Sequence, residues 1–453
     1  MGGRIRMRQR KNGISSVMLQ CLLLVICVVG IHTGVSAKGV ADYGALKVSG
    51  TQLVSQKTGE QVVLRGVSTH GINWDVGYPY VSREAFQTLR DQYAVNAIRL
   101  AMYTTEYYGY CDKAGASDSQ STVQATLKKR IDTGVTAATE LGMYVIIDWH
   151  VLNDQNPNKY KDQAKAFFKE MSAQYANYDN VIYEICNEPN GGTTWSDIRS
   201  YAEIIIPVIR ANDPDAIVIV GTPTWSQDVD VAAEKPLSYD NVLYALHFYS
   251  ATHKDSYREK LKTAVAKGLP VIVSEFGVSE ASGAGNIDTA EAKKWLDVLD
   301  QNGISYFAWS LSNKPESASL LKAGMSKKSG WSKNDLSPAG KWILSQYPLR
   351  SGQWQSQNPG GLAKVKNLRV KTKGAKRIKI QFAAVSDADG YQILYGTSKS
   401  FAKAKKKIVY KKSTIIPGLK RGKTYYVKVR AFKKQDGSRS YGAFSKAKKM
   451  KVK

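Results

Sequence analysis

Cysteine is scarce in this chain: four among 453 residues, of which Cys21 and Cys27 fall in an apolar stretch near the N-terminus. A disulfide-stapled scaffold is therefore excluded, and the fold must rest on a hydrophobic core. No long apolar run exists apart from the one around Val17 to Val29, so there is no second candidate for a membrane span. No glycine-rich phosphate loop follows the first strand-like segment, which argues against a doubly wound nucleotide-binding sheet. The five histidines lack the short-range spacing of a zinc motif, which argues against a metallohydrolase. Acidic residues are nearly missing from both ends. Residues 1–37 carry five Lys/Arg and no acid, and residues 363–453 carry 28 Lys/Arg against Asp387, Asp389 and Asp436. Between them, residues 38–362 hold 32 basic and 35 acidic side chains, so the formal charge of +27 belongs to the ends. Whatever the middle does, it does not do it with a positive field.

What is present is the composition of a folded protein, 43% hydrophobic and 23% charged. The basic run Arg4, Arg6, Arg8, Arg10 and Lys11, the apolar stretch after it and the small residues ending in Val35-Ser36-Ala37 read as a secretory signal peptide over residues 1–37. Neither Cys21 nor Cys27 has the small residue before it that a lipid-anchoring site needs. The expected location is outside the cell. Cleavage leaves only Cys111 and Cys186, whose pairing stays open, with Cys186 expected to be buried in an apolar strand.

The middle of the chain alternates. Eight β-rich runs recur with helical patterns between them, at Val62 to Thr69, Ala94 to Met102, Tyr144 to His150, Val181 to Glu188, Ile217 to Thr222, Val242 to Tyr249, Val271 to Gly277 and Tyr306 to Ser312. Several are continuously apolar, as strands of a parallel sheet buried on both faces should be. Eight β/α units over residues 38–349 predict an α/β fold, a (β/α)8 TIM barrel, with the hairpin pattern Leu46 to Gln61 plugging its bottom. The chemistry of such barrels sits at the C-terminal strand ends. There the chain places His70 and Trp74, Arg99 and Tyr103, His150, Asn187-Glu188, Trp225, His247 and Tyr249, Glu275, and Trp309. Arg99 inside an apolar strand demands a carboxylate partner, because an unpaired buried guanidinium is costly. Two glutamates at strand ends, with aromatic rings to stack on sugars and no cofactor required, suit glycoside hydrolysis: one carboxyl protonates the leaving oxygen and the other stays ionised.

Ile185-Cys186-Asn187-Glu188-Pro189 and Val273-Ser274-Glu275-Phe276-Gly277, together with Leu64 to Gly71, Ala97 to Leu100, Ile147 to His150 and Trp309 to Ser317, resemble glycoside hydrolase family 5, in particular the bacterial endo-β-1,4-glucanases of its second subfamily. The resemblance spans about residues 40–346. It implies a retaining enzyme with Glu188 as acid/base and Glu275 as nucleophile, supported by Arg99, Asn187, His150, His247 and Tyr249. It further implies that Asn187 bonds the sugar 2-hydroxyl, that Trp309 floors the cleaved subsite, that Trp74, Tyr103, Lys314 and Glu316 bind sugars on the nonreducing side and Trp225 those on the other, and that His70 binds substrate as a pair with Trp74. Cys186 and Pro315 depart from the family pattern, where tryptophan and glutamine are frequent. The expected substrate is an unbranched β-1,4-glucan, with mannan, mixed-linkage glucan or a non-catalytic polysaccharide-binding barrel as alternatives. No metal or other cofactor is expected, and the chain is expected to act as a monomer.

Residues 350–362 lack an apolar period and read as a linker. After them, residues 363–453 alternate in short runs, such as Ile378, Ile380, Phe382 and Tyr425, Val427, Val429, which predicts an all-β sandwich. Leu419, Gly422 and Tyr425 resemble the tyrosine corner of fibronectin type III modules, although Phe382 stands where tryptophan is common. Its charge of +25 suits either a soluble spacer or an anchor to an anionic cell-wall or plant polysaccharide; nucleic acid is not the expected partner, since exposed aromatics for stacking bases are few.

Overall fold

The computed structural model describes residues 38–357 and 365–452, apart from 386–387, 400, 402–403, 436–437 and 443. The expected signal peptide, residues 1–37, lies outside the described residues. Among the described residues, no helix is long and apolar enough to cross a membrane.

A short antiparallel hairpin, β1 (Leu46–Ser49) and β2 (Gln52–Ser55), precedes eight parallel strands: β3 (Arg65–Thr69), β4 (Ala97–Tyr103), β5 (Tyr144–His150), β6 (Val181–Glu184), β7 (Ile217–Val220), β8 (Val242–Tyr249), β9 (Val271–Gly277) and β10 (Tyr306–Leu311). They close into a barrel in chain order, with β10 pairing back onto β3. Helices follow the strands, among them Gln120–Glu140, Trp195–Arg210 and Thr289–Asn302, with ends set by ordinary caps: the Ser119 hydroxyl accepts from the Thr122 amide, and the second of these helices opens on a Thr194/Asp197 capping box.

The period of two sorts each strand between two environments. In β4 and β5, Ile98, Leu100, Val145 and Ile147 face the helices and join the large outer core. Ala97, Tyr144, Ile146, Ile182, Ile219, Leu243 and Phe307 fill the lower barrel, where Leu46 and Leu53 of the hairpin pack beneath them, as expected of a plug. Continuing the inward parity upward brings Arg99, Asp148, His150, Glu184 and His247. The upper barrel is therefore polar where the lower is apolar.

In β9 that parity breaks. Ala245 pairs with Ile272, yet His247 pairs with Glu275, so β9 carries one extra residue there. The same shift appears against β10, where Tyr306 pairs with Val273 and Ala308 with Phe276. The bulge turns Ser274 and Glu275 both toward the barrel axis, where strict alternation would send Glu275 outward.

The last helix, Pro338–Gln357, corrects the linker boundary. Residues 350–357, expected as linker, continue the helix, because no proline follows Pro348 until Pro359 and because Arg350 is pinned by Asp297 at 2.9 Å and Asp300 at 2.7 Å.

Residues 365–452 form two antiparallel sheets of their own. One has the order β11 (Arg369–Thr372), β12 (Ile378–Gln381), β15 (Ser413–Ile416). The other has the order β14 (Lys405–Val409), β13 (Gly390–Gly396), β16 (Thr424–Gln435), β17 (Ser438–Tyr441), with β18 (Lys448–Lys451) also on β16. Ile378, Ile380, Ile393, Val427 and Val429 make a core separate from that of the barrel.

Candidate active site

A cleft of about 670 Å³ opens over the C-terminal strand ends. Twelve of the fourteen residues singled out from the sequence line it: His70, Trp74, Tyr103, His150, Glu188, Trp225, His247, Tyr249, Glu275, Trp309, Lys314 and Glu316. The other two, Arg99 and Asn187, are buried behind the lining. Asn187 is held in place there: its side-chain oxygen accepts from Arg99 Nη2 at 2.6 Å, while its amide nitrogen donates to the Val151 carbonyl at 3.1 Å and lies 3.2 Å from His150 Nε2.

Arg99 meets three carboxylates, not one. Nε donates to Glu184 at 2.6 Å, Nη1 to Glu275 at 3.0 Å, and Nη2 lies 3.0 Å from Asp148. Glu184 and Asp148 were not picked out from the sequence as site residues, although a charged residue inside each apolar strand was a visible signal. Burial alone would push every one of these carboxyls upward, and the guanidinium opposes it.

Glu188 and Glu275 approach closely: one carboxylate oxygen of each and one His247 ring nitrogen all lie within 4.8 Å of one another. Their surroundings differ. Glu275 receives Arg99 Nη1 and, at 2.7 Å, the Tyr249 hydroxyl. Gly277 makes the second contact possible, since a methyl there would lie 2.4 Å from the Tyr249 ring. Glu188 meets only His247 Nδ1, at 2.9 Å, and burial raises its pKa to about 8.

The hydrogen bonds around His247 favour a proton on Glu188. Ser274 Oγ has a single proton and gives it to Glu184 at 2.6 Å, so it accepts from His247 Nε2 at 2.9 Å. Burial keeps His247 neutral, its pKa lowered to about 4. A neutral ring protonated on Nε2 offers only a lone pair at Nδ1, so the contact with Glu188 needs its proton on Glu188. Ser274, like Glu184 and Asp148, was not picked out from the sequence as a site residue; the bulge in β9 is what turns it toward the barrel axis.

Aromatic rings wall one side of the cleft. Trp74 and Tyr103 have centroids 4.4 Å apart, His70 and Trp309 5.2 Å, and His150 stacks on Trp309 at 5.4 Å. At the rim Trp225 is 45% exposed and sits in a left-handed turn, with φ of 57° at Thr224, 54° at Trp225 and 54° at Ser226. That costly backbone is held by Ser226 Oγ, which donates to the Asn187 carbonyl at 2.6 Å. Lys314 and Glu316 pair at 2.6 Å on the cleft wall. Cys111 and Cys186 are both free thiols, and Cys186 is fully buried as expected.

A model of the cellulase family, glycosyl hydrolase family 5, matches residues 55–315. The chain is 49% identical over 306 residues to endoglucanase A of Butyrivibrio fibrisolvens, covering 67% of this chain and 68% of that one. It is 44% identical over 330 residues to an endoglucanase of Clostridium saccharobutylicum, covering 72% and 70%. Among solved structures it resembles the catalytic domain of Thermobifida fusca endoglucanase Cel5A in complex with cellotetraose, with a TM-score of 0.62, 35% identity, and coverage of 68% of this chain and 98% of that one.

Proposed function

The chain belongs to the cellulase family, glycosyl hydrolase family 5, a cellulose-hydrolysing endoglucanase by that membership, and we propose that it works by retaining double displacement with Glu188 as acid/base and Glu275 as nucleophile. The observation that carries this assignment is the asymmetry between the two carboxyls. Glu275 has two donors and Glu188 has none, so the charge goes to Glu275 and the proton to Glu188. Their closest oxygens, no more than 4.8 Å apart, fit the short spacing of retaining enzymes, ~5–5.5 Å between carboxyl groups, rather than the ~6.5–9.5 Å that admits an extra water. Glu188 gives its proton to the leaving oxygen as Glu275 bonds the anomeric carbon. Water then cleaves the glycosyl ester, with Glu188 taking the proton back.

The aromatic wall supports a β-1,4-linked glucan as substrate: flat indole and phenol faces suit pyranose rings, and the Lys314–Glu316 pair offers charged hydrogen bonds to hydroxyls beside them. The basic and apolar start of the chain supports export, and the enzyme acts outside the cell as a monomer. The strand order of the C-terminal sheets supports a fibronectin type III-like module, as does Tyr425, whose hydroxyl accepts from the Lys420 amide five residues upstream at 3.2 Å. The test is proton NMR of the first product from cellopentaose, with Glu275→Gln beside it. Retention is expected, with kcat/KM of the variant down at least ~10³-fold, about 4 kcal/mol of transition-state stabilisation, while oligosaccharide binding persists. An inverted first product overturns the mechanism. Faster cleavage of mannan than of cellulose derivatives overturns the substrate.

A further inference from the structure

At one end of the C-terminal sandwich lies a groove of about 600 Å³ that the hydrolytic cleft does not account for. Tyr395, Tyr425 and Tyr426, all half-buried, line it together with Lys405, Lys420 and Lys423, all exposed. No acid lines it, and no acid occurs anywhere from residue 390 to residue 435. Among the described residues no ion pair neutralises these lysines. The sheets even accept like charges face to face: Lys371 of β11 lies directly opposite Lys379 of β12, a pairing that costs stability in an antiparallel ladder. A positive groove without acids attracts a ligand of opposite sign.

We propose that this groove binds an acidic polysaccharide, a polyuronate chain, and so holds the enzyme against walls in which its neutral substrate is embedded. The tyrosines favour sugar over nucleic acid. Base stacking needs exposed ring faces, whereas these rings are half-buried, and the phenol hydroxyl suits a sugar hydroxyl as partner. The lysines supply the carboxylate contacts. The choice of polymer rests on the glucan-hydrolysing reading above; the existence of an anion site does not.

Binding of the full-length protein to polygalacturonate should be strong at ~0.05 M salt and fall steeply toward ~0.5 M, as screening and ion release require. The triple variant K405E/K420E/K423E should lose ~10-fold or more. A control with the same charge change at the far end of the strands, K411E/K412E/K433E, should lose ~3-fold or less from the general field alone. Tyr426→Ala should weaken binding at every salt concentration. Hydrolysis of cellopentaose, followed in the same samples, should be unchanged throughout, so failure of the groove is distinguishable from failure of the catalytic reading. Equal losses in the two triples would mean a diffuse charge effect and overturn the site. Absence of binding at low salt would do the same, and so would tighter binding of single-stranded DNA through these residues, or capture by neutral cellulose that ignores salt.

Discussion

Within the site, function turns on single protons. Ser274 does not line the cleft, yet its hydroxyl, 2.9 Å from His247 Nε2, favours the His247 tautomer that keeps Glu188 protonated. Removing the hydroxyl frees the ring to turn its proton toward Glu188 and stabilise the ionised form. Ser274→Ala should therefore move the basic limb of the kcat/KM profile down from the neighbourhood of pH 8 by about one unit, the value of one charge-assisted hydrogen bond. A profile unchanged on its basic side would leave Ser274 a packing residue.

The bulge in β9 and the glycine after it act at the level of the element. One extra residue points Ser274 and Glu275 to the same side, and Gly277 then leaves room for the Tyr249 ring to cross and reach Glu275. Gly277→Ala forces that ring aside. The expected result is a fall in kcat of roughly 10- to 100-fold with little change in KM, since the displaced donor serves the nucleophile rather than the bound sugar. A matched fall from Tyr249→Phe, with no further loss in the double variant, is the cycle that ties both to one contact. The helix Pro338–Gln357 is the second such element. A chain ended after Gln357 should keep its barrel stability, whereas one ended after Leu349 loses the pairs of Arg350 with Asp297 and Asp300. These are partly exposed, so the shorter chain should be weaker by about 1–2 kcal/mol in urea unfolding.

Across the whole molecule, the buried site costs stability in a pH-dependent way. Glu188 has its pKa raised to about 8 in the folded protein from 4.5, so between those values the native state binds the extra proton and stability falls as pH rises. The buried histidines work in the opposite sense: His247 and His253 are lowered to about 4, so their contribution rises with pH but ends near 6.5, where the unfolded chain has lost the same protons. From pH 6.5 to 8 the carboxyls remain: Glu188 throughout, and Asp148, which burial raises to about 7, in the lower part of that window. Urea midpoints should fall over that window, by at most about 1.4 kcal/mol per pH unit for Glu188 alone, and Glu188→Gln should flatten the slope. An equal slope in the variant would place the effect elsewhere.

The eight strands, their order and the face that carries the chemistry were all legible in the sequence, because buried parallel strands announce themselves as apolar runs and barrels react at one end of them. So were ten of the residues that line the cleft, polar or aromatic at or near the point where an apolar run stops, while Lys314 and Glu316 were singled out by the family resemblance. Arg99 announced a missing carboxylate, but only the closed barrel shows that it has three, contributed by strands up to 176 residues away in the chain. The orientation of Asn187 depends on Arg99 and His150, which adjacency in the chain does not report. The bulge in β9 has no residue signature, since a period of two is read from identity while register is set by the neighbouring strand. Residue types determined which chemistry was available; the pairing of strands decided which donors each carboxyl meets.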